Sequence, residues 1–312
     1  MEIIEVNSEA YKAAIQNSYF NFGSAAFNKL NENNASSVHY LLFKDSKVRL
    51  GLIAGIRDQS LFSPFSAPYG GFSFVKADVK LQAIESALEE LHKWAEKKKL
   101  RTIKIILPPD MYHSSFIAKQ TNVLYRMNYT ISEADLNYSF NLDNFNENYA
   151  AGIWRNARKN LNKSLKNELC FELCESADEK QLAYTIIKQN RSERGFPLRM
   201  TWEQLKNTID VIPAWFFLVK DKEEKPIASA IVFQVGDKVL RVIYWGDLPE
   251  YAHLKTMNFL TYKVFEFFKE LGMQFMDIGI STENTLPNYG LCEFKESIGC
   301  DISPNFTFVK NI

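Results

Sequence analysis

The chain spells one order of helix and strand twice. Leu81, Ile84, Leu88, Leu91 and Ala95 recur at the spacing of a single helix face, and the run TIKIILPP that follows reads as a buried strand stopped by two prolines. About 172 residues later, MNFLTYKVFEFFKELG is again a helix with one apolar face and a closing glycine, and MQFMDIGI is again a strand. HSSFIAKQTNVLYRMNYTISEADLNYSFNL and LPNYGLCEFKESIGCDISPNFTFV continue both copies as helix, turn and strand. Upstream, KVRLGLIAGI and EKPIASAIVFQV each open a hairpin whose second strand runs into PYGGFSF in one copy and VLRVIYWGD in the other. The expected fold is α/β (α+β): two domains, 1–145 and 146–312, each a mixed central sheet flanked by helices.

A basic connecting helix over about 147–167 is expected to open the second domain. Trp154, Ala157, Leu161 and Leu165 form its apolar stripe, and Arg155, Arg158, Lys159, Lys163 and Lys166 gather on the neighbouring face. A solvated surface accounts for such a row as readily as a ligand does. No acidic residue interrupts it before Glu168, so Arg155 and Arg158 stay candidates for gripping a phosphate. With Lys plus Arg at 37 and Asp plus Glu at 37, no global field draws in nucleic acid or lipid, and an anionic partner needs a local patch of this kind.

Other chemistries lose support. The four cysteines form no CxxC pair and the four histidines lie apart, so no metal site is expected and the cysteines read as buried, reduced thiols. There is no G-x-x-x-x-G-K-[ST] loop, no G-x-G-x-x-G turn and no G-x-S-x-G elbow; Gly70-Gly71 reads as a turn or bulge. The acidic N-terminal stretch has no long apolar core and no later segment is long enough to span a bilayer, so the expectation is a cytoplasmic protein without a transmembrane segment. Direct transfer between bound substrates is the chemistry left.

Taken in order, IWRNARKNLNKSLKN, NRSERGFPLRM, KPIASAIVFQVGDKVLRVIYWGD, GMQFMDIGIST and GLCEFKESIGC resemble the Fem-type (FemAB-like) aminoacyltransferases, and YFNFGSAAFNKL with SPFSAPYGGF fits the first half of the same pattern. That family has two tandem GNAT-like domains. The resemblance implies acyl transfer to an amine: Fem enzymes move an amino acid from aminoacyl-tRNA onto the peptide of a peptidoglycan precursor. Looser relatives are acyl-CoA-dependent N-acyltransferases acting on a sugar or small amine, so the donor is expected to be aminoacyl-tRNA or acyl-CoA, with no tightly bound cofactor. The family's Phe-Lys pair corresponds to Phe294-Lys295, its lysine stabilising the oxyanion that forms as the amine attacks. Without the family, Lys295 reads as an exposed helix lysine.

Asp277, on the preceding strand, stands where the first copy has Ile105; it reads either as a carboxylate bonded to backbone amides or as one that orients Lys295 or the incoming amine. Tyr69, Tyr244 and Trp245 are candidate walls of a substrate cleft, with Phe294 beside Lys295, although aromatic residues at such places are also ordinary core. The chain departs from the family pattern at Phe27, where a tryptophan is usual, and it lacks the long coiled-coil insertion some members use with tRNA. GDLPEYAHLKTMN lacks the glycine-rich turn of a CoA-binding GNAT domain. A non-catalytic binding protein that keeps the fold is the reading from another class.

Overall fold

The computed structural model describes residues 1–16, 18–196 and 198–312. The first half of the chain supplies strands β1 (Glu2–Val6), β2 (Ser37–Lys44), β3 (Val48–Arg57), β4 (Ser60–Ser63), β5 (Ser73–Phe74), β6 (Thr102–Ile106) and β7 (Thr130–Asn141), with helices α1 (Ser8–Ala14), α2 (Ala25–Leu30), α3 (Leu81–Lys97) and α4 (Ser114–Arg126). The second half supplies helices α5 (Tyr149–Gly152), α6 (Arg155–Ser164), α7 (Ala177–Glu193), α8 (Trp202–Ile209), α9 (Thr256–Glu270) and α10 (Tyr289–Ser297). Its strands are β8 (Cys170–Leu173), β9 (Ala214–Lys220), β10 (Pro226–Gln234), β11 (Val239–Asp247), β12 (Phe275–Ile280), the short β13 (Thr282–Glu283) and β14 (Leu286–Pro287), and β15 (Asp301–Asn311).

Two compact units result. Unit 1 holds Met1–Leu136, Thr282–Leu286 and Ser303–Ile312; unit 2 holds Asn137–Ser281 and Pro287–Ile302. In unit 1 the strand order is β1-β2-β3-β4-β6-β15-β7, with β5 on β3, and β4 runs parallel to β6. In unit 2 the order is β7-β12-β11-β10-β9-β8, and β11 runs parallel to β12. Each unit completes its sheet with a strand from the other half of the sequence: β15 lies against β6, and the end of β7 against β12. The parallel pairs β4–β6 and β11–β12 each need a crossover, which α3 and α9 provide.

In unit 2 one sheet face carries a core built by α6, α9 and α10. Phe259, Leu260, Val264, Phe265 and Phe268 of α9 are buried on it, and Phe265 stacks on Phe140 of β7 at 4.3 Å. Every residue of β10 from Ile227 to Phe233 is buried, as a central strand covered on both faces requires. The second face is covered by α7, which opens with a capping box of Ser176 and Glu179. No helix among the described residues is long and apolar enough to cross a membrane.

Three local readings are corrected. The basic segment is not one helix over 147–167: it breaks at Ile153–Trp154, whose extended backbone separates α5 from α6. The buried stripe is consequently Ile153, Ala157, Leu161 and Ser164, while Trp154 and Leu165 are exposed. The second strand of the first hairpin is interrupted, with β4 pairing Gly55–Arg57 and β5 pairing Leu50–Gly51. Cys170 is exposed because β8 is an edge strand paired only with β9.

Phe308 of β15 is fully buried opposite Ile105 of β6, so Phe308→Ala should destabilise the protein by about 3–5 kcal/mol, read by urea unfolding. A change below about 1 kcal/mol would show that β15 does not complete the core of unit 1.

Candidate active site

The site begins where two parallel strands stop pairing. β11 and β12 share rungs only from Val239–Phe275 to Arg241–Asp277. Beyond that rung β11 stays with β10 as far as Asp247, while β12 follows β7 to the Ile280–Asn137 pair, through an irregularity between Asp277 and Gly279. The carboxyl-terminal halves of the two strands thus share no rung.

Unit 1 closes the equivalent gap with its own chain. Residues 64–80 join β4 to α3, whereas 248–255 suffice between β11 and α9. The extra segment folds back so that the Gly70 amide donates to the Ile106 carbonyl at 2.7 Å, the Gly71 amide to Ser63 Oγ at 3.0 Å, and the Phe72 amide to Gln120 Oε1 at 2.9 Å. Glycine is required at position 70, since a Cβ there would lie 2.5 Å from the backbone of Ser63 and Pro64. Tyr69 belongs to this plug: it is buried in unit 1, edge-on to Phe22, with its hydroxyl 2.9 Å from that of Tyr112. It packs as core, 1% exposed.

Lys295 occupies the matching helix position in unit 2. It stands seven residues after the N-cap Asn288 of α10, as Gln120 stands seven after the N-cap His113 of α4. The buried stripe of α10 runs Cys292, Lys295, Ile298, so the lysine is on the core-facing side and only 2% exposed. Its ammonium donates to the carbonyl oxygens of Gly279 at 2.8 Å and Ile280 at 3.1 Å, and lies 5.1 Å from the centroid of the Tyr138 ring. Tyr138 is itself fixed by its hydroxyl, which donates to Glu296 at 3.0 Å. Burial pulls the Lys295 pKa down to about 8, with nearby Arg241 acting in the same direction and Asp277 opposing. An ammonium has three N–H donors, and these two carbonyls use two.

Asp277 is fully buried and pairs with Arg241 across the last shared rung. It also accepts from Asn137 Nδ2 at 3.0 Å and from the Gly279 amide at 2.9 Å. The Lys295 hydrogen bonds run to carbonyls, and the Asp277 carboxylate instead fixes the backbone that presents one of them. Gly279 has φ +78°, and a Cβ on it would lie 3.0 Å from Arg241 Nη2, so only glycine lets the guanidinium cross here. Arg241, Asn137 and Gly279 were not singled out in the sequence. The signal was there: VLRVIYW and FMDIG each carry one charge of opposite sign inside an apolar strand.

Strand alternation divides the aromatic candidates. Trp245 packs on the α9 and α10 face, edge-on to Phe294 with centroids 6.1 Å apart, and both rings are half-buried. Tyr244 faces the α7 side, where the Met200 backbone hydrogen-bonds its hydroxyl, and burial raises its pKa. Trp245 and Phe294 therefore share the face that α10 covers, while Tyr244 is turned away. The Trp154 amide donates to the Ser297 carbonyl at 3.1 Å and ties the start of α6 to the end of α10. Arg155 is exposed on α6 and Arg158 partly so, with no ion pair among the described residues. Asp247, at the carboxyl end of β11, is a further buried carboxylate, its pKa raised by burial against the opposing pull of Arg194.

No family model matches the sequence, and no curated protein matches it. Solved structures do. FemX superposes over 100% of this chain and 98% of its own with a TM-score of 0.72 at 14% identity. L-PGS from Bacillus licheniformis superposes over 96% of this chain and 90% of its own, with a TM-score of 0.61 at 14% identity. A tandem GNAT protein from the clavulanic acid biosynthesis pathway covers 99% and 98% with a TM-score of 0.55 at 9% identity. The chain shares the tandem GNAT-type fold of these structures.

Removing one member of the buried pair leaves the other charge unpaired, so Arg241→Met or Asp277→Asn should each lose about 3–5 kcal/mol in chemical unfolding. Arg241→Met combined with Asp277→Leu should lose less than the two single changes together. Single changes that are neutral would remove the pair from its structural role.

Proposed function

We propose that the protein is an acyltransferase that forms an amide by direct transfer of an acyl or aminoacyl group to an amine, with the gap between β11 and β12 as the place of reaction. The observation that carries this reading is the buried Lys295 ammonium at the end of β12, with two of its three donors taken by carbonyls and no third acceptor among the described residues. As the amine nitrogen attacks the donor carbonyl, the C–N bond forms and negative charge gathers on the carbonyl oxygen. A fixed cation in a water-poor site is worth most at that moment and reorganises least. The leaving oxygen or sulfur then departs with its bonding electrons and takes up the proton that the attacking nitrogen sheds, as the carbonyl re-forms and the amide is left.

Trp245 and Phe294 supply apolar walls that keep water from the reacting carbon. Asp277 and Arg241 act as positioning residues, holding the Gly279 backbone that in turn holds the ammonium. Arg155 and Arg158 would bind phosphates of a donor or acceptor, Arg matching phosphate bidentately. The resemblance to Fem-type enzymes favours an aminoacyl-tRNA donor and a cell-wall precursor peptide as acceptor; an acyl-CoA donor is the second choice. Calorimetric titration with acetyl-CoA separates the two, since micromolar binding supports the thioester and an absence of heat favours another donor.

With aminoacyl-tRNA or acyl-CoA and an amine supplied, Lys295→Ala should lower kcat by about 100- to 1,000-fold. The pH dependence has a definite sign. The charged form is the useful one and Lys295 titrates near 8, so the rate per neutral acceptor amine should be full below that value and fall about tenfold per pH unit above it. A rate per neutral amine that rises through pH 8 in the wild type and not in Lys295→Ala would make Lys295 a general base, and a rate indifferent to its removal would take it out of the reaction.

A further inference from the structure

Unit 1 carries a three-residue constellation that plays no part in the Lys295 site. Ser37 and His39 are alternate residues of β2 and point to the same side of the sheet. Ser37 Oγ lies 2.9 Å from His39 Nε2, and His39 Nδ1 lies 2.5 Å from Glu5 Oε1 on the neighbouring strand β1. The bond to an acceptor-only carboxylate requires a proton on Nδ1; in the neutral ring Nε2 is then the acceptor, aimed at the Ser37 hydroxyl.

The arrangement is held from several sides. The His39 ring is 8% exposed and sits edge-on to Trp94 of α3 with centroids 5.1 Å apart. Lys98, at the end of α3, places its ammonium 3.3 Å from the second oxygen of Glu5. Ser37 is exposed at the start of its strand. A reachable hydroxyl, a largely buried imidazole and an anchored carboxylate, each within hydrogen-bond distance of the next, make a nucleophile, its base and the group that orients the base.

We infer that Ser37, His39 and Glu5 form a second acyl-reactive site, in which Ser37 is a nucleophile toward small activated esters and thioesters. Ser37 Oγ attacks the acyl carbon and forms a C–O bond while its proton passes to His39 Nε2. The bond from that carbon to the leaving oxygen or sulfur breaks, the leaving group keeps the electron pair and takes the proton from His39, and the acyl group stays on Ser37 as an ester. Water, deprotonated by the same nitrogen, then attacks the acyl carbon, the bond to Ser37 Oγ breaks as His39 returns the proton to that oxygen, and the carboxylic acid leaves. Glu5 is a positioning residue, acting through His39.

A fluorophosphonate probe tests this directly, because a Ser–O–P bond forms and fluoride leaves only where a serine is activated. Intact mass and peptide mapping of the full chain should show one adduct, on Ser37, and none in Ser37→Ala, an exposed change that leaves the fold intact. His39→Gln should label at least about 100-fold more slowly and Glu5→Gln at least about tenfold more slowly, with circular dichroism unchanged. Glu5→Asp, which keeps the charge, should retain more of the rate than Glu5→Gln, the closer match in shape; a purely structural role gives the reverse order. Wild-type labelling no faster than that of the heat-unfolded chain, an adduct on another residue, or Glu5→Gln labelling at the wild-type rate would each overturn the assignment.

Discussion

A charged amine with almost no access to water is expensive unless its hydration is replaced, and much of the second unit is organised around replacing it at Lys295. An uncompensated buried ammonium costs several kcal/mol, while hydrogen bonds to a charged group return about 1.5–3 kcal/mol each. The carbonyls of Gly279 and Ile280 provide two such bonds, and the Tyr138 ring lies beside the cation. The balance leaves the group charged at neutral pH with its pKa lowered only to about 8. Holding those carbonyls in place falls to the Asp277–Arg241 pair, the Asn137 amide and a glycine with φ of +78°.

The two units treat the carboxyl ends of their parallel strands differently. In unit 1 the space beside the end of β6 is occupied by the chain's own backbone, gripped by Gln120. In unit 2 the loop after β11 is too short to fold back, and the residue at the matching helix position is a lysine. A neutral amide that satisfies a fixed backbone amide suits a closed core, whereas a cation with a donor to spare suits a site where charge develops.

Much of this was legible in the sequence because helix and strand periodicity is local. The repeat, the α3, α9, β6 and β12 segments and the α/β class follow from spacings of three, four and two residues. The side of α10 that carries Lys295 was also legible, since Cys292 and Ile298 stand three residues to either side of it, yet the chemistry of a lysine argues for exposure and masks the pattern. What the sequence could not convey depends on pairing between distant segments. Arg241 meets Asp277 only because β11 and β12 are parallel in one register, and Tyr69 is core only because residues 64–72 fold back on β6. Tyr244 and Trp245 look equivalent on paper, and strand alternation sends them to opposite faces. The break at Ile153–Trp154 carries no proline and left no local mark.

The most direct test of the central claim is the protonation of Lys295 itself, followed by NMR of the Nζ of 15N-labelled lysines with the Lys295→Met protein to assign the resonance. The account predicts one lysine titrating near pH 8 in the folded protein and missing from the variant. If that resonance titrates with the surface lysines near 10.4, the ammonium is hydrated, and the site described here does not exist in solution.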